Sequence, residues 1–342
     1  MTRRILNPIL GIAFLAGTVS AQQVLINGAG ATFPYPMYSK WFNEYHQKNP
    51  SIQINYQSQG SGAGIQQVTA GTVDFGASDG PMNDQQLQEF KDKHNGAGIL
   101  HFPTVLGAAV PAYNLPGLTA PLNFTSEALA GIFLGTVKKW NDPAIANANP
   151  GVKLPATDII VVHRSDGSGT TYCWTDYLSK VNKEWESKVG RATSVQWPVG
   201  LGGKGNEGVA GQIKQLRNSI GYIELIYAVQ NKMEYGKVKN AAGDFVLADL
   251  ASVTAAAGSV KDMPDDFRVS ITNPPGKGAY PISTFTWLLI PQKIPDAAKK
   301  KALTDFLRWM LTTGQTQTEA LDYASLPKAV VTKEEKAIAK IQ

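Results

Sequence analysis

The run Ile159-Ile-Val-Val-His-Arg164-Ser-Asp-Gly-Ser-Gly-Thr170 decides the fold. Ile159 to Val162 is a fully apolar stretch that reads as a buried strand, and it delivers an arginine into a Gly-flanked Ser and Thr ahead of a helix. The same wiring occurs twice more. Val24 to Ile26 reads as a short strand before the loop Gly28 to Phe33, and Met37, Trp41 and Tyr45 then fall at helical spacing. Ile52, Ile54 and Tyr56 alternate as a strand before Gly60 to Gly64, followed by a helix over Ile65 to Ala70. Val73 to Ala77 is a further short strand, ending at Asp79. Strands alternating with helices predict an α/β fold. All four candidate segments then lie just past the carboxyl ends of strands, where open α/β sheets bind ligands.

The chemistry of these loops is that of an anion cradle. Glycine lets backbone approach a ligand closely, and the first N–H groups of a helix point outward with the positive end of its dipole behind them. A buried oxyanion needs a donor on nearly every lone pair, because each one left unmet costs about 1–3 kcal/mol. Backbone N–H groups at Thr32, Phe33, Ser61, Gly169 and Thr170, and hydroxyls of Thr32, Ser61, Ser168 and Thr170, are the candidate donors. Arg164 adds a planar fork matched to two oxygens of a tetrahedral anion, and Asp166 is placed to hold it or to cap the following turn. Asp79 is the discriminating residue. An ionised carboxylate only accepts hydrogen bonds, so it suits an anion that still carries a proton, as phosphate does, and opposes sulfate, which carries none.

The first 21 residues read as a secretory leader: Arg3 and Arg4, an apolar run from Ile9 to Leu15, and a Val19-Ser20-Ala21 cleavage site. No cysteine stands beside that site, so a lipid anchor is not expected. Removing the two leader arginines from a formal net charge of +5 leaves +3, and the basic residues form no dense stripe, so nucleic acid is not an expected partner. His46, His94, His101 and His163 never approach metal-ligand spacing, and neither a metal nor a cofactor is expected. The lone Cys173 excludes an internal disulfide and reads as packing on a helix.

Four segments together carry a resemblance. Gly28-Ala-Gly-Ala-Thr-Phe-Pro34, Val73-Asp-Phe-Gly-Ala-Ser-Asp79, Arg164-Ser-Asp-Gly-Ser-Gly-Thr170 and Gly200-Leu-Gly-Gly-Lys-Gly-Asn206 are similar to the phosphate-binding subunit of the bacterial phosphate ABC importer. The resemblance runs through Leu321-Asp-Tyr-Ala-Ser-Leu-Pro327. It implies phosphate ligands at Thr32, Phe33, Ser61, Asp79, Arg164, Ser168, Gly169 and Thr170. It also implies a periplasmic location, delivery to the permease and ATPase subunits, and a type II periplasmic-binding fold of two discontinuous α/β domains closing on a hinge. The Pro-punctuated stretch from Pro103 to Pro121 and the β-rich run Tyr280 to Ile290 are the expected crossings. Domain I would hold residues 22–105 plus 260–342, and domain II residues 106–259. Gly62 departs from the pattern, since many relatives carry a second serine directly after the first.

Two other readings compete. A secreted phosphatase or esterase would use Ser168 or Ser61, but neither sits in a Gly-x-Ser-x-Gly elbow and no His/Asp partner order is evident. A sulfate- or molybdate-binding protein shares the architecture, and Asp79 argues against those anions. Gly200 to Asn206 lacks the Gly-Lys-Ser/Thr of a nucleotide site and reads as a turn capping a helix from Glu207, with a contact at the cleft rim or with the transporter as the alternative. At the C-terminal end, Leu303, Phe306, Leu307, Met310 and Leu311 form one helical stripe closed by Gly314, and Thr332 with Glu335 reads as a capping box.

Overall fold

A computed structural model describes residues 23–118, 120–259 and 261–342. The expected leader at 1–21 lies outside the described residues. Eight strands carry the argument: β1 (Val24–Gly30), β2 (Ile52–Ser58), β3 (Phe75–Ser78), β4 (Ile99–Asn114), β5 (Ile160–Arg164), β6 (Leu201–Gly203), β7 (Ser219–Glu224) and β8 (Ser283–Pro291). They form one sheet in the order β2-β1-β3-β8-β4-β7-β5-β6, and the short strand Glu234–Tyr235 also pairs with β4. Four helices matter to the site: α1 (Tyr35–Lys48), α2 (Ser61–Ala70), α3 (Gly169–Val181) and α4 (Gly205–Gln215). The α/β class expected from the alternation is the class found.

The 16-residue strand β4 joins two halves of the sheet. Ile99 to Ala108 pairs antiparallel with β8, and Ala109 to Asn114 pairs antiparallel with β7. β1, β2 and β3 are mutually parallel on one side, and β5, β6 and β7 on the other. Pro103 and Pro111 are accommodated inside β4. Opposite Pro103 the register shifts between Thr286 and Trp287, which skips a residue where proline has no N–H to offer.

Each half has its own aromatic core. Met37, Tyr38, Trp41, Phe42 and Tyr45 line the buried face of α1, and Phe42 meets Phe306 of the helix Ala297–Leu311 with ring centroids 5.3 Å apart. In the other half Trp174 stacks on Tyr222 at 5.1 Å, with Phe133 packed against both. Loss of one such ring costs about 3–5 kcal/mol. Cys173 is buried on α3 beside Trp174.

Several expected boundaries shift. β1 runs on through Gly30, so Gly28 to Gly30 are strand residues, and β3 and β5 each lie one or two residues later than their apolar runs suggested. The helix Ala297–Leu311 is capped at Thr312, and Gly314 instead opens a 3-10 turn against Trp41, whose Nε1 donates to the Gly314 carbonyl at 3.0 Å. The Thr332–Glu335 capping box is overturned. The last helix spans Lys328–Ile338 with Pro327 as its N-cap, so Thr332 is already interior. Pro327 ends the preceding extended segment and presets the helical entry, which a Ser/Thr-Glu pattern does not register.

Candidate functional site

The site is built where two sets of parallel strands end. Thr32 and Phe33 follow β1, Ser61 opens α2 after β2, Asp79 follows β3, and Arg164 is the last residue of β5. Ser168 is the N-cap of α3, its Oγ accepting the Thr171 N–H at 3.0 Å, and Gly169 and Thr170 form the first turn. All of Thr32, Ser61, Asp79, Arg164, Ser168 and Thr170 are at most 3% exposed, as buried as the core.

The two halves touch through these loops. The Gly62 N–H donates to the Gly167 carbonyl at 2.8 Å, and the Gly169 N–H donates to Ser61 Oγ at 3.0 Å. Side chains are excluded at this junction. A Cβ on Gly169 would stand 2.5 Å from Asp79 Cβ and Oδ2, and one on Gly62 would stand 3.0 Å from the Gly167 Cα. The glycines flanking Ser61 and Ser168 are therefore required by close approach of backbone to backbone.

Carbonyls of the first loop are taken by tyrosine hydroxyls. Tyr227 Oη donates to the Thr32 carbonyl at 2.6 Å and Tyr323 Oη to the Phe33 carbonyl at 2.5 Å. Among the described residues none accepts a hydrogen bond from the N–H of Thr32, Phe33, Ser61 or Thr170. Arg164 is locked by Asp166: Nε donates to Oδ1 at 2.8 Å and Nη2 to Oδ2, with both side chains largely buried. Nη1 reaches Thr170 Oγ1 at 3.4 Å, so one hydrogen on each terminal nitrogen remains to be given. Burial opposes ionisation of Asp166, yet the hydrogen bonds and charge of Arg164 hold its carboxyl below the ordinary range. The pair is nearly neutral, which leaves aligned N–H dipoles as the main means of holding a negative ligand.

Asp79 is the acceptor in this set. Burial pushes its carboxyl up to about 7, against the pull of the Thr286 hydroxyl, the Arg164 charge and Ser61, while Asp166 adds to the rise. Thr286 Oγ1 donates to Oδ1 at 2.8 Å, and the Asp79 N–H donates to Ser61 Oγ at 3.2 Å. Asp79 does not cap the next helix, whose N-cap is Asn83.

Two residues of the site were missed from sequence. Asn206 is fully buried, and its Nδ2 donates to Thr32 Oγ1 at 2.8 Å and Thr170 Oγ1 at 3.2 Å. The turn expected over Gly200 to Asn206 is instead strand β6, an N-cap at Lys204 and the first turn of α4. That is the same strand–glycine–helix wiring as the other loops, and it was the legible signal. Thr286 stands among the apolar residues of β8, where a period-2 pair of threonines, Thr284 and Thr286, interrupts an otherwise hydrophobic strand.

Comparison with known proteins agrees with this geometry. A family model described as a PBP superfamily domain matches residues 16–313. The phosphate-binding protein PstS of Xylella fastidiosa is 48% identical over 317 residues, covering 91% of this chain and 85% of that protein. The PstS of Pasteurella multocida is 44% identical over 335 residues, covering 97% and 94%. The chain belongs to the PstS family of phosphate-binding proteins. At the level of fold, PstS resemblance extends to a periplasmic phosphate-binding protein solved with phosphate bound, at a TM-score of 0.75 with 21% identity, covering 91% of this chain and 93% of that one. A phosphate-binding protein from Stenotrophomonas maltophilia superposes with a TM-score of 0.71 at 18% identity, covering 92% and 93%. The two-domain periplasmic-binding fold implied by the sequence motifs is therefore the fold of this PstS relative.

Proposed function

We propose that the chain captures inorganic phosphate in the periplasm and delivers it to the permease and ATPase subunits of an ABC importer. Thr32, Phe33, Ser61, Arg164, Ser168, Gly169 and Thr170 surround the anion as donors or shape its cradle, and Asp79 accepts the hydrogen the phosphate still bears. The observation that carries this reading is the composition of the buried cluster: N–H and O–H donors from both halves of the sheet converge with a single carboxylate, Asp79, that is not already paired to the arginine.

The lobes are residues 22–105 with 260–342, and 106–259. They hinge on β4 and β8, since pairing passes from β8 to β7 between Ala108 and Ala109. Closure excludes water, which strengthens each hydrogen bond to the anion, and no bond of the ligand is made or broken. The leader at 1–21 directs export. Titration of the purified mature chain with radiolabelled phosphate tests the reading. Saturable 1:1 binding that excess sulfate does not compete supports it, and sulfate competing on equal terms defeats it. A chromogenic phosphate ester is expected to show no turnover.

A further inference from the structure

Asn206 uses every polar atom of its side chain. The Glu224 N–H donates to Oδ1 at 2.9 Å, and because only an oxygen accepts that bond, the orientation of the amide is fixed. Nδ2 then has two hydrogens, and they go to Thr32 Oγ1 and Thr170 Oγ1. The backbone N–H of Asn206 also donates to Thr32 Oγ1, at 3.2 Å, while Arg164 Nη1 is the second donor to Thr170 Oγ1. A hydroxyl oxygen has two lone pairs and one hydrogen. Both threonine oxygens thus have their lone pairs occupied by N–H groups, and each is left able only to donate.

Ser61 shows the same condition by other means. Its Oγ accepts the N–H groups of Asp79 and Gly169, at 3.2 and 3.0 Å, and its hydrogen points to Asp79 Oδ2 at 3.5 Å, so it too can only donate. A phosphate hydroxyl entering such a site finds three side-chain hydroxyls that cannot accept from it. Its proton is directed to Asp79.

We propose that Asn206 is a positioning residue of the anion site: it turns the Thr32 and Thr170 hydroxyls into obligate donors, and in doing so ties the loop after β1 to the first turn of α3 across the cleft. This role rests on the phosphate reading above. It leaves Asp79, rather than either threonine, to accept the phosphate hydrogen, by arrangement of its neighbours' hydrogens in addition to its own charge. Asn206 touches the ligand only through the threonines, so its effect on binding is shared with theirs.

A double-mutant cycle on the full mature chain tests this, with phosphate binding measured by calorimetry and melting temperature measured without ligand. Asn206→Ala is expected to weaken phosphate binding by about 10- to 100-fold, in line with loss of donors to a charged network. Thr32→Val/Thr170→Val is expected to lose a similar factor. The triple variant should lose far less than the product of the two, by at least about tenfold, because both changes disable the same hydroxyls. Losses that simply multiply overturn the proposal. Asn206→Asp keeps the shape and the bond from the Glu224 N–H but replaces the donor amide by an acceptor, so it stands in if the alanine variant does not fold. It should fold and bind phosphate at least about tenfold more weakly than wild type, and wild-type affinity in this variant also overturns the role. A wild-type chain that binds no phosphate at all sinks the ligand reading first, whereas multiplying losses in a wild type that does bind sink only the role of Asn206.

Discussion

On the proposed reading, Asp79→Asn removes the carboxylate that accepts the anion's hydrogen while keeping its shape. In the cleft, burial pushes the Asp79 carboxyl up to about 7, so it is ionised above neutrality. Sulfate brings no proton, and to sit beside Asp79 it requires the carboxyl itself to become protonated and donate. That requirement costs about 1.4 kcal/mol for each pH unit above the carboxyl's own value. At a pH of about 8.5 the carboxyl is roughly 1.5 units above it, so sulfate binding is weakened by about 2 kcal/mol, or roughly 30-fold, relative to acid conditions. Phosphate still carries a proton there and meets no such penalty. In the variant, the amide oxygen accepts the Thr286 hydroxyl and the NH2 group faces the anion, so the sulfate penalty vanishes at every pH. Phosphate loses an acceptor for its hydroxyl but gains a donor, and its affinity should fall by about tenfold or less. Calorimetric titration of both proteins with both anions at a pH of about 6 and of about 8.5 measures all of this. Wild-type sulfate affinity should drop about 30-fold between the two, and the variant's should not change. A wild-type sulfate affinity flat with pH, or an undiminished preference for phosphate in the variant, would refute the role given to Asp79.

Arg164→Lys keeps the charge but loses the fork that grips Asp166 through two nitrogens; phosphate affinity should fall by about 100-fold in equilibrium binding, and a loss under about threefold would show that the planar geometry is unimportant. Gly169→Ala places a Cβ 2.5 Å from Asp79 Cβ and Oδ2, so the lobes should fail to close; small-angle scattering is expected to show no compaction on adding phosphate, and normal compaction would contradict the contact. Glu334 is fully buried, with both carboxyl oxygens unpartnered among the described residues, and burial holds its pKa well above the ordinary 4.5. An acid whose folded pKa is raised stabilises the fold fully below its unfolded value, and that contribution is lost as the pH rises through the folded one. Glu334→Gln should therefore melt with a shallower decline than wild type on going from acid to alkaline pH, and parallel declines would show that the residue does not titrate in the fold.

Much of this architecture was legible because local chemistry and long-range structure agree at the loops. Glycines at 60, 62, 167 and 169 are needed wherever backbone must meet backbone, and the same composition announces a strand-to-helix turn. Arg164 and Asp166, two residues apart, could be read as a pair because their contact is local. Residues supplied from far along the chain were harder. Thr286 reaches Asp79 from β8, across more than 200 positions, and the alternation of Thr284 and Thr286 marks a polar face of the strand without saying what it meets. Tyr227, on the helix Leu225–Gln230, and Tyr323, just past the 3-10 turn Glu319–Leu321, likewise hold the first loop's carbonyls from far along the chain. Asn206 is obscured for a different reason. Its loop lacks nucleotide-binding spacing and so reads as a turn, although a buried amide at a helix start has the right donors for a neighbouring hydroxyl pair. The caps of the C-terminal helices are hard to read because Pro327 and Thr312 set the boundaries by backbone geometry and packing rather than by a Ser/Thr-Glu signature.

A crystal structure of the mature chain grown with inorganic phosphate measures the central claim most directly. One tetrahedral anion is expected in the cleft, with an oxygen within hydrogen-bond reach of Asp79, two oxygens facing the free hydrogens of Arg164, and the hydroxyls of Thr32, Ser61 and Thr170 all pointing at it. An anion held elsewhere on the chain, or one bound in the cleft with Asp79 turned away and Thr32 on a separate cavity wall, would contradict it.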